Sequence, residues 1–384
     1  MHALHLWLAA VAAAAQLAVL ADLALGGRRL RLLRDVPTPA PSDPVAAVSV
    51  VVAARNEARG VEAGVRSLLA LHAAAEVIVV DDRSDDETGA ILNRIAAGHP
   101  RLRVIHLAEL PPGWLGKNHA LWRGAAESAG ELLLFTDADV VMEPTALSRA
   151  AAYLAQEGLD HVTVAPRVHM PGALLQAFAV AFGLFFSVYA RPWKARDPRS
   201  RRHVGIGAFN LLRAEAYRAA GTHRAIAMRP DDDMKLGKIV KKAGLRQDFL
   251  VGGELVGVEW YASVRELVEG LKKNAFAGLE YSVPAVVAST LLHLLVYTLP
   301  WIGVLAAHGA ARALYGVAVA VMLLLFAGAA RVQRIPVRYA LLFPAACLLF
   351  VYIVWNAAAY TLRTGGIEWR GTRYPLAELR ANRV

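Results

Sequence analysis

The sequence predicts an α/β domain with a mostly parallel sheet, joined to helices that reach a membrane. Apolar runs of five to eight residues alternate with helical stretches between residues 46 and 282, which is typical of parallel strands buried on both faces. The 384 residues are 56% hydrophobic yet 19% charged. That composition is too apolar for an ordinary soluble protein and too polar for a membrane bundle alone. The predicted strands are residues 46–53, 76–80, 102–106, 131–136 and 161–165.

Residues 1–27 predict a transmembrane anchor. Residues 3–25 are mostly apolar and match the roughly 20 residues that cross a bilayer as a helix. A cleaved signal peptide is the alternative, but its positive charges precede the apolar core, whereas here Arg28 and Arg29 follow it. The positive-inside rule then places the N-terminus outside and the rest of the chain in the cytoplasm, and we expect an integral protein of a bacterial inner membrane.

A basic and proline-rich linker, residues 28–45, leads into a predicted cytoplasmic domain at residues 46–282. The net charge of +10 does not indicate nucleic acid as a partner, because the arginines cluster beside apolar segments. The inner surface of a membrane attracts arginines at such positions. We therefore expect a membrane partner and no nucleic acid.

Residues 283–362 predict further membrane helices. They form either three crossings or two crossings and a re-entrant or interfacial piece, if Pro344 splits the last stretch. Three crossings would leave the basic tail, residues 363–384, outside and against the positive-inside rule. The three apolar stretches are residues 285–307, 313–330 and 339–362.

A further apolar segment, residues 171–190, lies inside the predicted cytoplasmic domain. It is either a buried core helix or an interfacial helix that lies on the bilayer. Trp193 and the basic residues Arg191 and Lys194 follow it directly. Aromatic and basic residues at an apolar boundary favour the interfacial helix.

Carboxylates follow two of the predicted strands. Asp81 and Asp82 follow the second strand, and Asp137 and Asp139 follow the fourth. Ligands of parallel sheets bind at the carboxyl ends of the strands, and two carboxylates one residue apart suit a divalent cation such as Mg²⁺ or Mn²⁺. Either pair alone is common in turns and helix caps, but both together indicate a site. The single cysteine, Cys347, excludes a zinc site built from a cysteine cluster.

Six motifs follow one another along the middle of the chain: VSVVVAARNE (48–57), VIVVDDRSDDET (77–88), GWLGKNHALWRG (113–124), ELLLFTDADV (131–140), GIGAFNLLRAEAY (205–217) and PDDDMKLGKIVKKAG (230–244). In this order they resemble the glycosyltransferase family 2 enzymes, which have the GT-A fold. The chain looks most like membrane-bound members that glycosylate lipids, such as hopanoid-associated and carotenoid glycosyltransferases. LPPGW (110–114) is similar to the former, and IEWRGTRY (367–374) is similar to ceramide glucosyltransferases.

The resemblance implies a nucleotide-sugar site. Asp82, with Asp81 beside it, would hold uracil or another base. Lys117 would approach the donor diphosphate, since a lysine ammonium suits phosphate oxygens. Asp137 and Asp139 would bind that diphosphate through Mn²⁺ or Mg²⁺, with Asp139 as the direct ligand. The other residues that the resemblance places in the nucleotide site are Ala54, Asn56 and Glu57.

The resemblance also implies a general base. Matched on Leu236, the family pattern makes Asp233 the base and Asp232 its acidic neighbour. Such a carboxylate removes the proton of an acceptor hydroxyl while the oxygen attacks the anomeric carbon, and direct attack inverts the configuration. The alternative is that Asp231, Asp232 and Asp233 only cap the helix that follows. The two roles are compatible.

The chain departs from processive family members, such as cellulose and hyaluronan synthases. These carry Gln or Arg, two residues, then Arg-Trp after the base, and residues 257–274 contain no such motif. Related lipid enzymes place Arg where Glu259 stands, so the cation that supports the diphosphate is left open among Arg265, Lys272 and Lys273. The missing motif predicts a single transfer.

These features together predict an inverting, metal-dependent transferase. It would move one sugar from a nucleotide-sugar, expected to be a UDP-sugar, to a lipid hydroxyl at the cytoplasmic face of the membrane. One alternative is a processive polysaccharide synthase, which the missing Arg-Trp motif disfavours. The other is a non-catalytic membrane scaffold that kept the fold, which the complete set of acidic motifs disfavours.

Overall fold

The computed structural model describes residues 2–40 and 46–384, so the last residues of the predicted linker, 41–45, lie outside the described residues. Contacts along the chain divide it into two compact units. We call them the helical unit and the sheet unit. The helical unit contains residues 2–29, 169–191 and 260–367, and the sheet unit contains residues 30–40, 46–168, 192–259 and 368–384.

The strands and helices follow the predicted alternation through the middle of the chain. The strands are β1 (Arg31–Leu32), β2 (Val48–Ala54), β3 (Ala74–Asp82), β4 (Leu102–Leu107), β5 (Leu132–Asp137), β6 (Val140–Met142), β7 (His161–His169), β8 (Asn210–Arg213), β9 (Gln247–Glu259), β10 (Gly366–Trp369) and β11 (Thr372–Pro375). The helices are α1 (His2–Gly27), α2 (Val61–Leu69), α3 (Thr88–Ala96), α4 (Gly116–Ala126), α5 (Ala146–Gln156), α6 (Ala173–Ala190), α7 (Ala214–Ala219), α8 (Asp232–Lys242), α9 (Val264–Leu271), α10 (Val283–His293), α11 (Leu299–Ala306), α12 (Gly309–Gln333), α13 (Phe343–Thr364) and α14 (Leu376–Ala381).

The sheet unit is built on a mixed, mostly parallel sheet, which confirms the predicted α/β class. Among the described residues this sheet has nine strands in the order β1-β9-β7-β8-β5-β2-β3-β4, with β6 paired to β9. Strands β2, β3, β4 and β5 pair in parallel, whereas β8 runs antiparallel to both β5 and β7. The parallel strands therefore end along one edge of the sheet.

The apolar runs of the central strands are explained by burial on both faces of the sheet. Val50 and Leu134 contribute to one buried cluster, and Val51, Leu133 and Phe135 contribute to a second. Successive side chains of a strand point to opposite faces. A strand covered by helices on both sides must therefore be apolar at every position, and cannot show the alternation of a half-exposed strand.

The helical unit contains the apolar segments. Among the described residues, five helical segments are long and apolar enough to cross a membrane: 3–27, 173–194, 283–306, 309–333 and 337–364. Within this unit, α1 packs on α12, and α6 packs on α12 and α13. Large apolar side chains remain exposed on these helices, among them Trp7, Leu305 and Leu324. Exposed apolar surface of this kind marks contact with lipid or another apolar partner.

Three segments bear on the predicted domain boundaries. Residues 171–190, predicted within the cytoplasmic domain, fall in the helical unit, and residues 368–384, predicted as a basic tail, fall in the sheet unit. Pro344 lies in the first turn of α13. Proline is tolerated there because the first amides of a helix have no intrahelical acceptor. The helix consequently continues unbroken to Thr364.

Candidate active site

The carboxyl ends of β2, β3 and β5 lie side by side and carry two of the predicted acidic motifs. Ala54 at the end of β2 is in register with Asp81 of β3, and Ala53 is in register with Asp137 of β5. Neighbouring strands are about 4.8 Å apart. The sheet therefore brings the aspartates of β3 and β5 to either side of one strand.

The loop after β2 is held by the loop after β3. The backbone amide of Asn56 donates to Ser84 Oγ at 3.0 Å, and its side-chain oxygen accepts from the Asp85 amide at 3.0 Å. The amide of Glu57 donates to Thr88 Oγ1 at 2.8 Å. Asn56 has a φ of 55°, and asparagine tolerates this left-handed conformation better than most residues. The predicted nucleotide residues Asn56 and Glu57 thus lie in one hydrogen-bonded turn, just after Ala54 at the end of β2.

Asp81 and Asp82 are both buried and both paired. The guanidinium of Arg83 donates to the two carboxylate oxygens of Asp82, at 2.8 and 3.0 Å, and Arg55 lies 3.6 Å from Oδ2. Asp81 accepts from the Ser84 amide at 3.2 Å and contacts His106 Nδ1 at 2.8 Å. The arginine and histidine partners allow two adjacent carboxylates to remain buried.

Helix α4 begins against Asp82. A Cβ on Gly116 would lie 2.1 Å from Asp82 Oδ2, so only glycine permits this approach of the backbone. Lys117, the next residue, points its ammonium nitrogen at two other motifs, 2.7 Å from Asp137 Oδ1 and 3.2 Å from Asp232 Oδ2. Burial opposes the charge of Lys117, but Asp137, Asp232 and Asp233 more than offset it and raise its pKa.

Asp233 lies in the first turn of α8 and faces the loop before β8. Its Oδ2 accepts from the amide of Gly207 at 3.0 Å, and its Oδ1 accepts from the amide of Met234 at 2.7 Å. A Cβ on Gly207 would lie 2.7 Å from Asp137 Oδ2. Burial, followed by repulsion from Asp232, raises the pKa of Asp233 to about 7. The third acidic motif is therefore in the same cleft as Lys117 and Asp137.

The alternative role of the third acidic motif, to cap helix α8, is supported by the charge of its residues and not by a capping hydrogen bond. Asp231 occupies the N-cap position of α8, but its side chain makes no capping hydrogen bond. Its carboxylate instead receives two hydrogen bonds from Arg229, at 2.9 and 3.0 Å, and Arg229 is 1% exposed. Asp232 and Asp233 still suit the positive end of the helix dipole.

The surroundings of Asp139 suit a divalent cation. Burial, followed by repulsion from Asp137 and then Glu57, raises the pKa of Asp139 to about 7, so a nearby cation would stabilise its charged form. Within residues 2–40 and 46–384, no group of three or more His, Cys, Asp or Glu side chains is arranged to hold a metal ion by itself. A cation held by Asp137 and Asp139 would need further oxygen ligands from a bound molecule.

Residues 49–220 match the family described as Glycosyl transferase family 2. The predicted resemblance to glycosyltransferase family 2 is thereby confirmed over these residues.

The chain is also similar to individual glycosyltransferases along a greater part of its length. It is 23% identical over 251 residues to the 4,4'-diaponeurosporenoate glycosyltransferase of Staphylococcus aureus strain MRSA252, covering 65% of this chain and 66% of the relative. The match thus spans just under two thirds of that relative. A mannosyltransferase from Pyrobaculum calidifontis, solved with GDP-Man and Mn²⁺, is similar with a TM-score of 0.51 and 20% identity over 93% of this chain and 98% of that chain. The predicted GT-A fold is confirmed, and the family match over residues 49–220 agrees with the predicted glycosyltransferase domain.

Two residues that contact the predicted nucleotide segments were not predicted from sequence. Arg370 donates to the carbonyl oxygen of Asn56 at 2.9 Å and forms an ion pair with Glu57. The hydroxyl of Tyr374 accepts from the Gly116 amide at 3.2 Å. Both residues lie in IEWRGTRY, a motif whose similarity to ceramide glucosyltransferases was the only signal available.

The three cations proposed to support the diphosphate, Arg265, Lys272 and Lys273, lie in the helical unit. Lys272 pairs there with Glu269, and its ammonium lies 4.6 Å from the centre of the Tyr360 ring. Their role toward a diphosphate stays a prediction. In the sheet unit, the cation that contacts the acidic motifs from β5 and α8 is Lys117.

Proposed function

We propose that the protein is an inverting, metal-dependent glycosyltransferase that moves one sugar from a nucleotide-sugar to a lipid hydroxyl at the cytoplasmic face of a membrane. The observation that carries the proposal is the position of Lys117, whose ammonium contacts both Asp137 and Asp232. A donor-binding motif and an acidic motif at the start of α8 are thereby gathered around one cation.

The donor half of the site is the edge formed by β2, β3 and α4. The loops that carry Asn56, Glu57 and Asp82 would hold the nucleoside, with a UDP-sugar as the expected donor. The mannosyltransferase from P. calidifontis was solved with GDP-Man, so GDP-sugars are the second donor class to test. Lys117 would balance the charge of the leaving diphosphate, because an ammonium is compact and strongly attracts phosphate oxygens.

Asp137 and Asp139 would hold Mn²⁺ or Mg²⁺ together with the diphosphate. When bound, such an ion neutralises charge on the diphosphate. The raised pKa of Asp139, caused by burial and then by repulsion from Asp137 and Glu57, supports a cation at this point. The Mn²⁺ in the P. calidifontis structure supports the same proposal.

Asp233 would act as the general base. It would accept the proton of the acceptor hydroxyl while that oxygen forms a bond to the anomeric carbon. The bond from the anomeric carbon to the diphosphate oxygen breaks with its electron pair, and the nucleoside diphosphate leaves. One displacement inverts the anomeric configuration. The Gly207 amide holds one oxygen of Asp233, which fixes the carboxylate for this role.

A lipid acceptor is supported by the apolar segments and by a relative. The S. aureus relative is named for 4,4'-diaponeurosporenoate, a carotenoid. Residues 169–191 leave the sheet unit and return to it through a single helix, α6. One compact unit cannot occupy both sides of a bilayer, so this helix would lie in one leaflet. An apolar acceptor could then reach the enzyme without leaving the membrane.

The experiment is a transfer assay with full-length protein in nanodiscs made from host lipids. Labelled UDP-sugars and GDP-sugars are supplied with Mn²⁺, and the extracted lipids are analysed by mass spectrometry. We expect a lipid whose mass rises by one hexose, with the opposite anomeric configuration to the donor. A ladder of sugar additions would favour a processive synthase, and donor turnover without a lipid product would contradict the lipid acceptor.

A further inference from the structure

We propose that Arg370 and Tyr374, at the C-terminal end of the chain, are positioning residues that shape the donor site and set its affinity for the nucleoside diphosphate. The proposal rests on the proposed function, because it assigns these residues to the same donor site. Both residues belong to the sheet unit, as do all their partners considered below.

Arg370 occupies an unfavourable position in the hairpin of β10 and β11. It is the first of two residues in the turn, with a φ of 50°, and Gly371 follows with a φ of 73°. Two-residue turns with positive φ at both positions favour asparagine, aspartate or glycine. An arginine is disfavoured there by its backbone. What the arginine offers is a long side chain with five hydrogen-bond donors.

That side chain contacts the turn predicted to hold the nucleotide. One terminal nitrogen of Arg370 donates to the Asn56 carbonyl oxygen at 2.9 Å, and the other forms the ion pair with Glu57. Asn56 is itself left-handed. The planar guanidinium therefore binds two adjacent residues of a strained turn at once, which a lysine cannot reproduce because its ammonium is a single point.

Tyr374 reaches the opposite side of the same donor site. It is 5% exposed, and its hydroxyl accepts from the Gly116 amide at 3.2 Å. Gly116 packs against Asp82 and immediately precedes Lys117. Together with Asp82, the bidentate partner of Arg83, the Tyr374 side chain also helps to raise the pKa of Arg83. One side chain thus touches the predicted base-binding and diphosphate-binding segments together.

Asn382, near the end of the chain, makes a third set of contacts with the sheet unit. The side chain of Asn382 accepts from the Met228 amide at 2.9 Å and donates to the Ala225 carbonyl oxygen at 3.1 Å. This segment leads directly into Asp231. The last 17 residues, 368–384, are therefore tied to the turn after β2, to the start of α4 and to the segment before α8.

The test compares Arg370→Ala, Arg370→Lys and Tyr374→Phe with the control Arg383→Ala, which removes an exposed positive charge from the same end of the chain. Binding of UDP and of GDP, each with Mn²⁺, is measured by calorimetry on full-length protein in nanodiscs. We expect about 10-fold to 30-fold weaker binding of the preferred nucleotide for Arg370→Ala, and several-fold weaker binding for Arg370→Lys and Tyr374→Phe. Arg383→Ala should bind like the wild type.

Kinetics separate positioning from simple loss of structure. We expect the donor KM to rise more than kcat falls, with the acceptor KM unchanged, because the contacts lie on the donor site. Unchanged nucleotide affinity in all three variants would overturn the proposal while leaving the proposed function intact. A wild-type protein that binds neither UDP nor GDP would overturn both. Arg370→Lys and Tyr374→Phe are conservative changes that keep the test valid if Arg370→Ala fails to fold.

Discussion

The ammonium nitrogen of Lys117 lies 2.7 Å from Oδ1 of Asp137. This ion pair joins the start of a helix to the end of a strand, and Asp232 of a second helix lies 3.2 Å from the same nitrogen. Removing the ammonium would leave Asp137, Asp232 and Asp233 to repel one another without compensation. Lys117 consequently holds the acidic motifs of β5 and α8 together, and its ammonium is also placed to bind a diphosphate.

We therefore expect Lys117→Met to lower stability by about 2 kcal/mol, because losing the ammonium leaves the buried Asp232 carboxylate without this ion pair. Nucleotide binding should be lost as well. The control is Lys242→Met, which removes an exposed lysine from the end of α8. Thermal unfolding and UDP or GDP binding are the two measurements. A Lys117→Met protein as stable as the control and still able to bind nucleotide would contradict the assignment.

The close approach at Gly207 predicts a second effect. An added Cβ would lie 2.7 Å from Asp137 Oδ2 and 3.5 Å from Lys117 Nζ, so Gly207→Ala must displace the Asp137 carboxylate. We expect turnover to fall about 10-fold to 100-fold, since small displacements of site groups carry penalties of this size. Gly98→Ala is the matched control, because its nearest new contact is 3.8 Å away. Equal turnover in the two variants would mean that the Asp137 position does not matter.

The sheet and its acidic motifs could be predicted because their signals are local. Apolar runs such as 132–135 are buried on both faces, and Asp82 and Asp137 directly follow or end such runs. A parallel sheet then places strand ends along one edge without further information. The grouping of β3 and β5 carboxylates is thus implicit in the order of strands and turns.

Other features depend on contacts between distant parts of the chain. The ion pair of Arg370 with Glu57 joins residues that are 313 positions apart in the sequence. Neither periodicity nor motif spacing predicts such a contact. The fit of Gly116 against Asp82 depends on the exact seating of α4. Residues 171–190 are apolar in either environment, so composition could not decide that they group with the helical unit. Tertiary contacts alone determine these features.

Asp139 provides the test of metal dependence. Asp139→Asn removes one negative charge from a crowded position and should abolish the Mn²⁺-dependent part of donor binding. The free protein should become no less stable, because repulsion from Asp137 and Glu57 is relieved. Titration calorimetry with UDP or GDP, in Mn²⁺ and in EDTA, measures binding for wild type and variant, and thermal unfolding without nucleotide measures their stability. Full turnover of the wild type in EDTA would remove the metal from the mechanism.

Membrane topology can be checked by the parity of crossings. The chain leaves the sheet unit after Glu259 and returns at Glu368 through three candidate spans. A compact unit on one side of a bilayer requires an even number of crossings, so one of the three should not cross. In a Cys347→Ala background, we expect an impermeant maleimide to label His5→Cys from the periplasmic side and Arg383→Cys only from the cytoplasmic side. Labelling of both from one side would contradict this topology.

The role of Asp233 is tested by separating binding from chemistry. Asp233→Asn keeps the shape of the side chain and its oxygen acceptor for the Gly207 amide, so donor affinity should stay within about 3-fold of wild type. Without a base, transfer should fall about 10²-fold to 10⁴-fold, the usual contribution of general base catalysis.

The control is Asp35→Asn at a side chain that is 66% exposed. The Gly207 and Met234 amides donate to Asp233, and an asparagine oxygen can still accept such a bond, so the substitution should not unfold the protein. A variant with near-normal transfer would assign the base to another group, and Asp232→Asn, which also weakens the Lys117 pair, would then be the next variant to measure.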